Sequence, residues 1–356
     1  MKVLAAMSGG VDSSVAAARL LAVGHEVVGV TMKLWGGESD TGCCSVSDVD
    51  DARRVAQQLG IAHHTWTFTD DFERHVVGPY VDAHRAGLTP NPCIECNRHV
   101  KFDRLLRRAR AVGFDAVATG HHARIVAGPD GRRRLARGAD RAKDQSYVLY
   151  VLGPDELAST LLPVGELTKA EVRAEAAVLG LRTAAKPDSQ DVCFVTAAAG
   201  RSAFLGDRIP LRPGRVVDGD GRTVGTVPAV ELVTVGQRRG LGLAGGGEAR
   251  YAVDVDLGAA TVRVGPATEL LAAGVRLDRM VWGAGGPVAG QGFLAQASAH
   301  GAARPVVVEP DGDGGEPGGV VVRFAVPQRR VAAGQSVVLY AGDDVVGGGI
   351  ATGSVN

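Results

Sequence analysis

The octapeptide Met7-Ser8-Gly9-Gly10-Val11-Asp12-Ser13-Ser14 decides how the chain is read. It follows a short apolar run of strand character, Val3-Leu4-Ala5-Ala6, and opens a helix expected to reach about Leu21. Two adjacent glycines let the backbone turn sharply and come close to a ligand. The hydroxyls of Ser8, Ser13 and Ser14 surround the amides at the helix start, and such a place binds phosphate. The Lys-Ser/Thr ending of a Walker A loop is missing, so no ammonium of the loop follows a terminal phosphate during hydrolysis. The loop offers hydroxyls, amides and one carboxylate. A carboxylate beside polyphosphate is repulsive unless a divalent cation lies between them, which gives Asp12 a magnesium-facing role.

The spelling resembles the Ser-Gly-Gly-x-Asp-Ser loop of the PP-loop pyrophosphatase superfamily. That resemblance implies an enzyme that splits ATP between its first and second phosphates and activates a substrate oxygen as an adenylate. Outward from the loop, strand and helix patterns alternate to about Ile125, as in a mostly parallel sheet covered on both faces. Strands are expected over 26–34, 61–68 and 115–119, and helices over 48–59 and 71–85. Between them lies Thr89-Pro90-Asn91-Pro92-Cys93-Ile94-Glu95-Cys96-Asn97, whose two prolines predict an exposed, stiff loop. A basic helix follows, with Arg98, Lys101, Arg104, Arg107, Arg108 and Arg110. The strand at 115–119 delivers Gly120-His121-His122 at its carboxyl end, where open parallel sheets gather their ligands. The cluster Arg132-Arg133-Arg134 falls on an expected hairpin turn.

Helices are predicted over 143–152 and 168–179. The aperiodic stretch 186–194 then carries Cys193. From about Arg212 the texture turns to Gly and Val, with a hairpin signal at Asp218-Gly219-Asp220-Gly221. The expected fold is α/β: an N-terminal PP-loop domain with a parallel sheet over 1–200, a small β-rich central domain over 201–272, and a C-terminal β barrel over 273–356.

The 356 residues carry no formal net charge, so contact with nucleic acid must come from local basic patches. The opening apolar run is too short for a signal peptide, and no segment is long and apolar enough to span a bilayer. A reducing cytoplasm is the expected setting, with no membrane partner. There the five cysteines point to catalysis or metal binding rather than a disulfide framework.

Seven motifs in order carry a closer resemblance, to the MnmA family of tRNA-specific 2-thiouridylases. They are Ser8 to Ser14; Thr89 to Asn97; Thr119-Gly120-His121-His122; Lys143-Asp144-Gln145-Ser146-Tyr147; Asp188 to Phe194; Thr234-Val235-Gly236-Gln237-Arg238-Arg239-Gly240-Leu241; and Pro327-Gln328-Arg329 with Gly334-Gln335. The resemblance implies ATP-dependent replacement of O2 of the wobble uridine of tRNA (Lys, Glu and Gln type) by sulfur. It implies a persulfide on Cys193, a nucleophile at Cys96 and a transient disulfide between them. Residue by residue it gives a nucleotide site of Ala6, Met7, Ser8, Gly9, Gly10, Val11, Asp12, Ser13, Met32 and Gly120. Asn91, Pro92 and Cys93 match the pocket for the flipped base, and His121 and His122, Lys143-Asp144-Gln145 and Gln335 match tRNA contacts. ATP with Mg2+, tRNA, and a cysteine desulfurase or sulfur-relay protein as persulfide donor are the implied partners. Two positions depart from the family: Cys93, where some relatives have aspartate, and Ala299-His300, where an Arg-Tyr pair is expected.

A persulfide relay suits the chemistry, because displacing an activated oxygen needs a strong sulfur nucleophile and a second thiolate to free the transferred atom. Cys96 lies at a helix entry, with Arg98 and Lys101 nearby to favour its thiolate. From spacing alone, Cys93, Cys96 and Cys193 also suit an iron-sulfur cluster or zinc. Another adenylating PP-loop ligase would explain the loop without the cysteines or the barrel. A tRNA-binding module with residual nucleotide affinity would explain the basic patches. Cys43 and Cys44, among glycines, read as packing residues or part of a lid. No dedicated protein metal site is expected, and His63, His64, His75, His84 and His99 read as surface or core residues.

Overall fold

A computed structural model describes residues 1–35, 46–128, 130–188, 192–195, 200–244, 247–283, 292–312 and 318–356. Cys43 and Cys44 lie outside them.

The first sheet has five strands in the order β3-β2-β1-β4-β7, all paired in parallel. They are β1 (Lys2–Ala6), β2 (Glu26–Lys33), β3 (His63–Thr67), β4 (Ala116–Ala118) and β7 (Thr160–Leu161). Alternation along β1 shows how the sheet is covered. Val3 and Ala5 enter a core with helix α1 (Val11–Ala22) and helix α2 (Val46–Leu59). Leu4 enters the opposite core, with Phe72, Val76 and Val100. That second core is roofed by α3, a helical run 69–85 with a π-helical turn at Glu73–Val77, and by α4, a run 92–111.

Helix α4 corrects the expected cysteine loop. Pro92 occupies the first helical position, where its missing N–H costs nothing, and the Asn91 side chain caps the helix by accepting from the Cys93 amide at 3.1 Å. The chain then runs as a π-helix over Cys96–Arg104 before closing as an α-helix at Leu105–Ala111. The helix expected over 143–152 is also shorter, reduced to α5 (Ser146–Leu149).

The hairpin β5 (Ala123–Ala127) and β6 (Arg133–Arg137), which follows β4, extends the barrel sheet by pairing with its last strand at Asp344↔Ala136. Helix α6 (Pro154–Ala158) and helix α7 (Lys169–Val178) complete the first layer, and α8 (Gly200–Gly206) leads out of it. The central sheet has the order β10-β11-β8-β9, from β8 (Gly214–Val217), β9 (Thr223–Val227), β10 (Tyr251–Asp256) and β11 (Thr261–Gly265). Beyond it, β12 (Leu271–Trp282), β13 (Gly292–Gln296), β14 (Arg304–Pro310), β15 (Val320–Arg329), β16 (Ser336–Ala341) and β17 (Asp344–Val355) close into a barrel through the β12–β17 pairing.

The barrel is bolted to the first layer through α5. Tyr147 Oη donates to the Ser336 carbonyl at 2.8 Å, and Tyr150 Oη lies 3.2 Å from Ser336 Oγ. Arg137 covers the Tyr340 ring at 3.6 Å and donates to Gln296 Oε1 at 2.8 Å. Within the arginine cluster on the hairpin, Arg133 donates to the carbonyls of Ala158 and Thr160 and so ties the hairpin to the first layer.

Candidate active site

The glycine loop turns over the carboxyl edge of the sheet, between β1 and α1. Gly9 takes φ +74°, and a Cβ there would sit 2.2 Å from the Asp48 carbonyl oxygen, so only glycine fits. Gly120, after β4, is packed as closely from the other side: its Cβ would lie 2.6 Å from Ser13 N. Helix α1 starts at Gly10 with no side-chain cap, which leaves its first amides for an anion. Ser13 Oγ accepts from the Ser8 amide at 3.2 Å and donates to the Gly10 carbonyl at 3.1 Å. Ser14 Oγ is buried and turned back onto the Gly10 carbonyl at 2.8 Å, so of the three expected hydroxyls only that of Ser8 stands exposed.

Asp12 is embedded in an ionic network that no motif suggested. Lys169 Nζ bridges both carboxylate oxygens at 2.8 and 2.7 Å, and His122 Nε2 lies 3.1 Å from Oδ1. Burial raises the Asp12 pKa, but the hydrogen bonds with His122 and Lys169 outweigh it and leave the carboxyl below the usual range. Lys169 also meets Asp188 Oδ1 at 2.9 Å, and Asp188 receives Lys143 at 2.8 Å and Arg173 at 2.7 Å. Lys186 donates to the Gly9 carbonyl at 3.0 Å and to Asp48 and Asp51 at 2.6 and 2.7 Å. The stretch leading to Cys193 is therefore tied to the glycine loop at two points. The ammonium that the loop itself lacks comes from another helix. One signal was available: Lys169 is the first residue of α7, after the Thr168 cap, and a cation at a helix N-terminus opposes the dipole unless carboxylates hold it.

Beside this network, Thr119 Oγ1 meets His121 Nδ1 at 2.7 Å. Burial, reinforced by the Lys101 and His122 charges, pushes the His121 pKa down to about 3. His122, matched to a tRNA contact, is a buried partner of Asp12, clamped by Gln145, whose Oε1 accepts from the His122 amide and whose amide donates to the His122 carbonyl, each at 2.9 Å. Lys143 and Gln145 are exposed, whereas the Asp144 carboxylate turns inward to Arg137, the Gly138 amide and Ser146.

The sulfur side is built differently. Cys93 is exposed and Cys96 buried on the first turns of α4, and Asn97 donates to the Val148 carbonyl at 3.0 Å, fixing the helix against α5. Cys96 belongs to the large aromatic core, and Cys193 and Met32 pack half-buried against that same core. The neighbour of Cys193, Phe194, roots the segment there, with ring centroids 5.7 Å from Phe72, 5.4 Å from Tyr80 and 5.1 Å from Phe204. The guanidiniums of α4 are mostly engaged: Arg98 with Glu95, Arg104 with Asp71, Arg107 with Asp103, and Arg108 over Trp66. Among the described residues, no group of three His, Cys, Asp or Glu side chains is disposed to hold a metal ion. No described helix is long and apolar enough to cross a membrane.

All three domains meet at the approach to Asn91. The Thr89 amide donates to the Ala333 carbonyl at 2.8 Å, two residues before Gln335, and Thr89 Oγ1 lies 3.4 Å from Thr234 Oγ1 of the central domain.

Three family models match in succession: a tRNA methyl transferase HUP domain over residues 1–197, a tRNA methyl transferase PRC-barrel domain over 202–266 and an aminomethyltransferase beta-barrel domain over 274–351. The chain is 49% identical to a tRNA-specific 2-thiouridylase MnmA of Beutenbergia cavernae, covering 98% of this chain and 93% of that one. It is 46% identical to the protein of the same description from a Roseiflexus species, with 98% of each covered. Among solved structures, a 4-thiouridine synthetase in complex with RNA and ATP shares 20% identity, covers 54% of this chain and 44% of that one, and gives a TM-score of 0.38. By full-length identity to these relatives, the chain belongs to the tRNA-specific 2-thiouridylase MnmA family.

Proposed function

We propose that the chain thiolates the 2-position of the tRNA wobble uridine at the expense of ATP. The observation that carries this reading is the shared core: the segments bearing Cys96 and Cys193, far apart in the chain, are built into one aromatic cluster against the same sheet whose first strand leads into the glycine loop. ATP supplies the activation, because attack of uridine O2 on its first phosphate expels pyrophosphate and turns a poor leaving group into AMP. The uncapped start of α1, the Ser8 hydroxyl and the Lys169 ammonium fit a polyphosphate. Asp12 would hold the accompanying Mg2+, with Lys169 sharing the charge balance.

On the sulfur side, the terminal persulfide sulfur on Cys193 attacks C2 and AMP departs. The Cys96 thiolate then attacks the inner sulfur, forming a Cys96–Cys193 disulfide and releasing thiouridine. A two-electron reduction resets the pair, which suits a reducing cytoplasm. The sulfur donor is a cysteine desulfurase or a relay protein. Asn91 to Cys93, at the head of α4, take the flipped base.

With ATP, Mg2+, a persulfide source and unmodified tRNA, the protein should release AMP and pyrophosphate and yield 2-thiouridine. Cys96→Ser and Cys193→Ser should each abolish thiolation and retain ATP binding. Normal product from either variant would overturn the relay. Loss of activity in Cys93→Ala, with iron and labile sulfide in the anaerobically purified parent, would replace it by cluster chemistry.

A further inference from the structure

The motif Thr234 to Leu241 has no part in the chemistry above. Its glycines set a loop that pairs with the first residues of β10: the Gly236 amide donates to the Ala252 carbonyl at 2.7 Å, and the Ala252 amide to the Gln237 carbonyl at 2.9 Å. This pairing brings the exposed Arg238 and Arg239 alongside Arg250 and Tyr251. From the barrel, Arg329 lays its guanidinium over the Tyr251 ring at 4.9 Å. Among the described residues, no carboxylate pairs with any of these four arginines, although Glu248 lies in the same loop, whereas most arginines of α4 are paired. In a chain of zero net charge, four such arginines on neighbouring segments, one of them over the Tyr251 ring, form a local anion surface.

Its position identifies the anion. Both segments that build it run directly from residues bonded to Thr89: Thr234 leads in four residues to Arg238, and Ala333 is four residues from Arg329. Thr89 is itself two residues from Asn91, the cap of the cysteine helix. At an extended reach of about 3.5 Å per residue, four residues to Arg238 and two to Asn91 on either side of the Thr89 contact keep the cluster within about 25 Å of the base pocket, a distance that a few nucleotides of one strand span. We propose that Arg238, Arg239, Arg250 and Arg329 are a phosphate-binding strip of the central domain and barrel that grips the tRNA backbone flanking the flipped base. An acidic protein partner would use the same charges, but a strip beside the base pocket is already in the path of the RNA. This inference rests on the proposed tRNA thiolation and adds the surface that holds the substrate in place.

The test measures the affinity of unmodified tRNA for the full chain as a function of KCl. The double variant Arg238→Ala/Arg239→Ala should weaken binding about tenfold or more and lower the log–log salt slope by about 2, one unit for each phosphate that the variant no longer neutralises. Arg304→Ala, an exposed arginine outside the cluster, should leave both unchanged. In the parent protein, bound tRNA should shield Arg238 and Arg239 from phenylglyoxal, a readout independent of any variant. Unchanged affinity and slope, an equal loss in Arg304→Ala, or no shielding would overturn the strip. Failure of the parent to bind or thiolate tRNA would instead overturn the function on which it rests.

Discussion

The two halves of the proposed active site solve opposite problems with opposite materials. On the nucleotide side, Asp12, Asp188, Lys169, Lys186 and His122 form a polar lattice around an uncapped helix. On the sulfur side, Cys96 and Cys193 sit among Trp35, Phe72, Tyr80, Phe194 and Phe204. Polyphosphate must be met by dipoles and cations fixed in advance. A persulfide is better kept from water and stray thiols, which an aromatic wall achieves by exclusion. The helix starts differ in the same sense: α1 leaves its amides for a ligand, whereas α4 uses Asn91 to satisfy its own.

The sharpest way to break the comparison is Lys169→Met. It removes the cation shared by Asp12 and Asp188, whose pKa burial raises and the Lys143 and Lys169 ammoniums pull far below the carboxylate range. Removing one partner of a largely buried ion pair costs about 3–5 kcal/mol, here toward the low end because Asp12 and Asp188 keep partial exposure. ATP affinity should fall with stability, while alkylation of Cys96 and Cys193 in the folded protein keeps its parent rate. A denaturation midpoint within error of the parent, with normal ATP binding, would show the network to be incidental.

Both halves carry a buried histidine that acid should charge, His121 beside the nucleotide network and His84 on the sulfur side. On the sulfur side, His84 packs against Tyr80 with ring centroids 4.6 Å apart, and its Nε2 has no hydrogen-bond partner among the described residues. Burial, with Arg201 adding to it, pushes its pKa from 6.5 down to about 4. The unfolded chain therefore binds the proton first, and stability contributed by neutral His84 is lost as pH falls from about 6.5 to about 4. At about 1.4 kcal/mol per unit, the loss reaches at most about 3 kcal/mol. Asp12 and Asp188 are shifted below their unfolded values, so their contribution is intact above about pH 4 and disappears only below it. Urea midpoints should begin to fall near pH 6.5, and His84→Phe should lessen that decline, leaving the part that neutral His121 contributes as pH falls from 6.5 to about 3. A single decline below pH 4 in the parent would refute the assignment.

How far each half was legible in the sequence follows from the same contrast. The glycine loop and Gly120 could be read because close backbone approach leaves one residue type possible, and that constraint is local. Lys169 was missed because its partners are 157 and 19 residues away and become neighbours only when α7 packs on α1. The parallel sheet, central sheet and barrel were visible in periodicity and composition. The extension of the barrel sheet by hairpin β5–β6 was not, since it rests on a single pairing to β17. Prolines at 90 and 92 argued for a loop because Pro stops a helix in its interior, yet the same residue opens one at its first position, and only the Asn91 cap separates the two readings.

That cap supplies the smallest and most local test. Asn91→Ala removes the acceptor for the Cys93 amide and should cost about 1 kcal/mol, the ordinary worth of an N-cap. The effect should be confined to the cysteine helix: hydrogen exchange should quicken at 93–96, and Cys96, buried in the parent, should become more reactive toward iodoacetamide. The mirror substitution, Gly10→Asn, offers α1 a cap it lacks. A side-chain oxygen there would compete with phosphate for the helix amides, so ATP affinity should fall even if the fold gains stability. If Gly10→Asn bound ATP as well as the parent, the open start of α1 would not be the phosphate site, and the contrast between an emptied helix end and a filled one would lose its functional meaning.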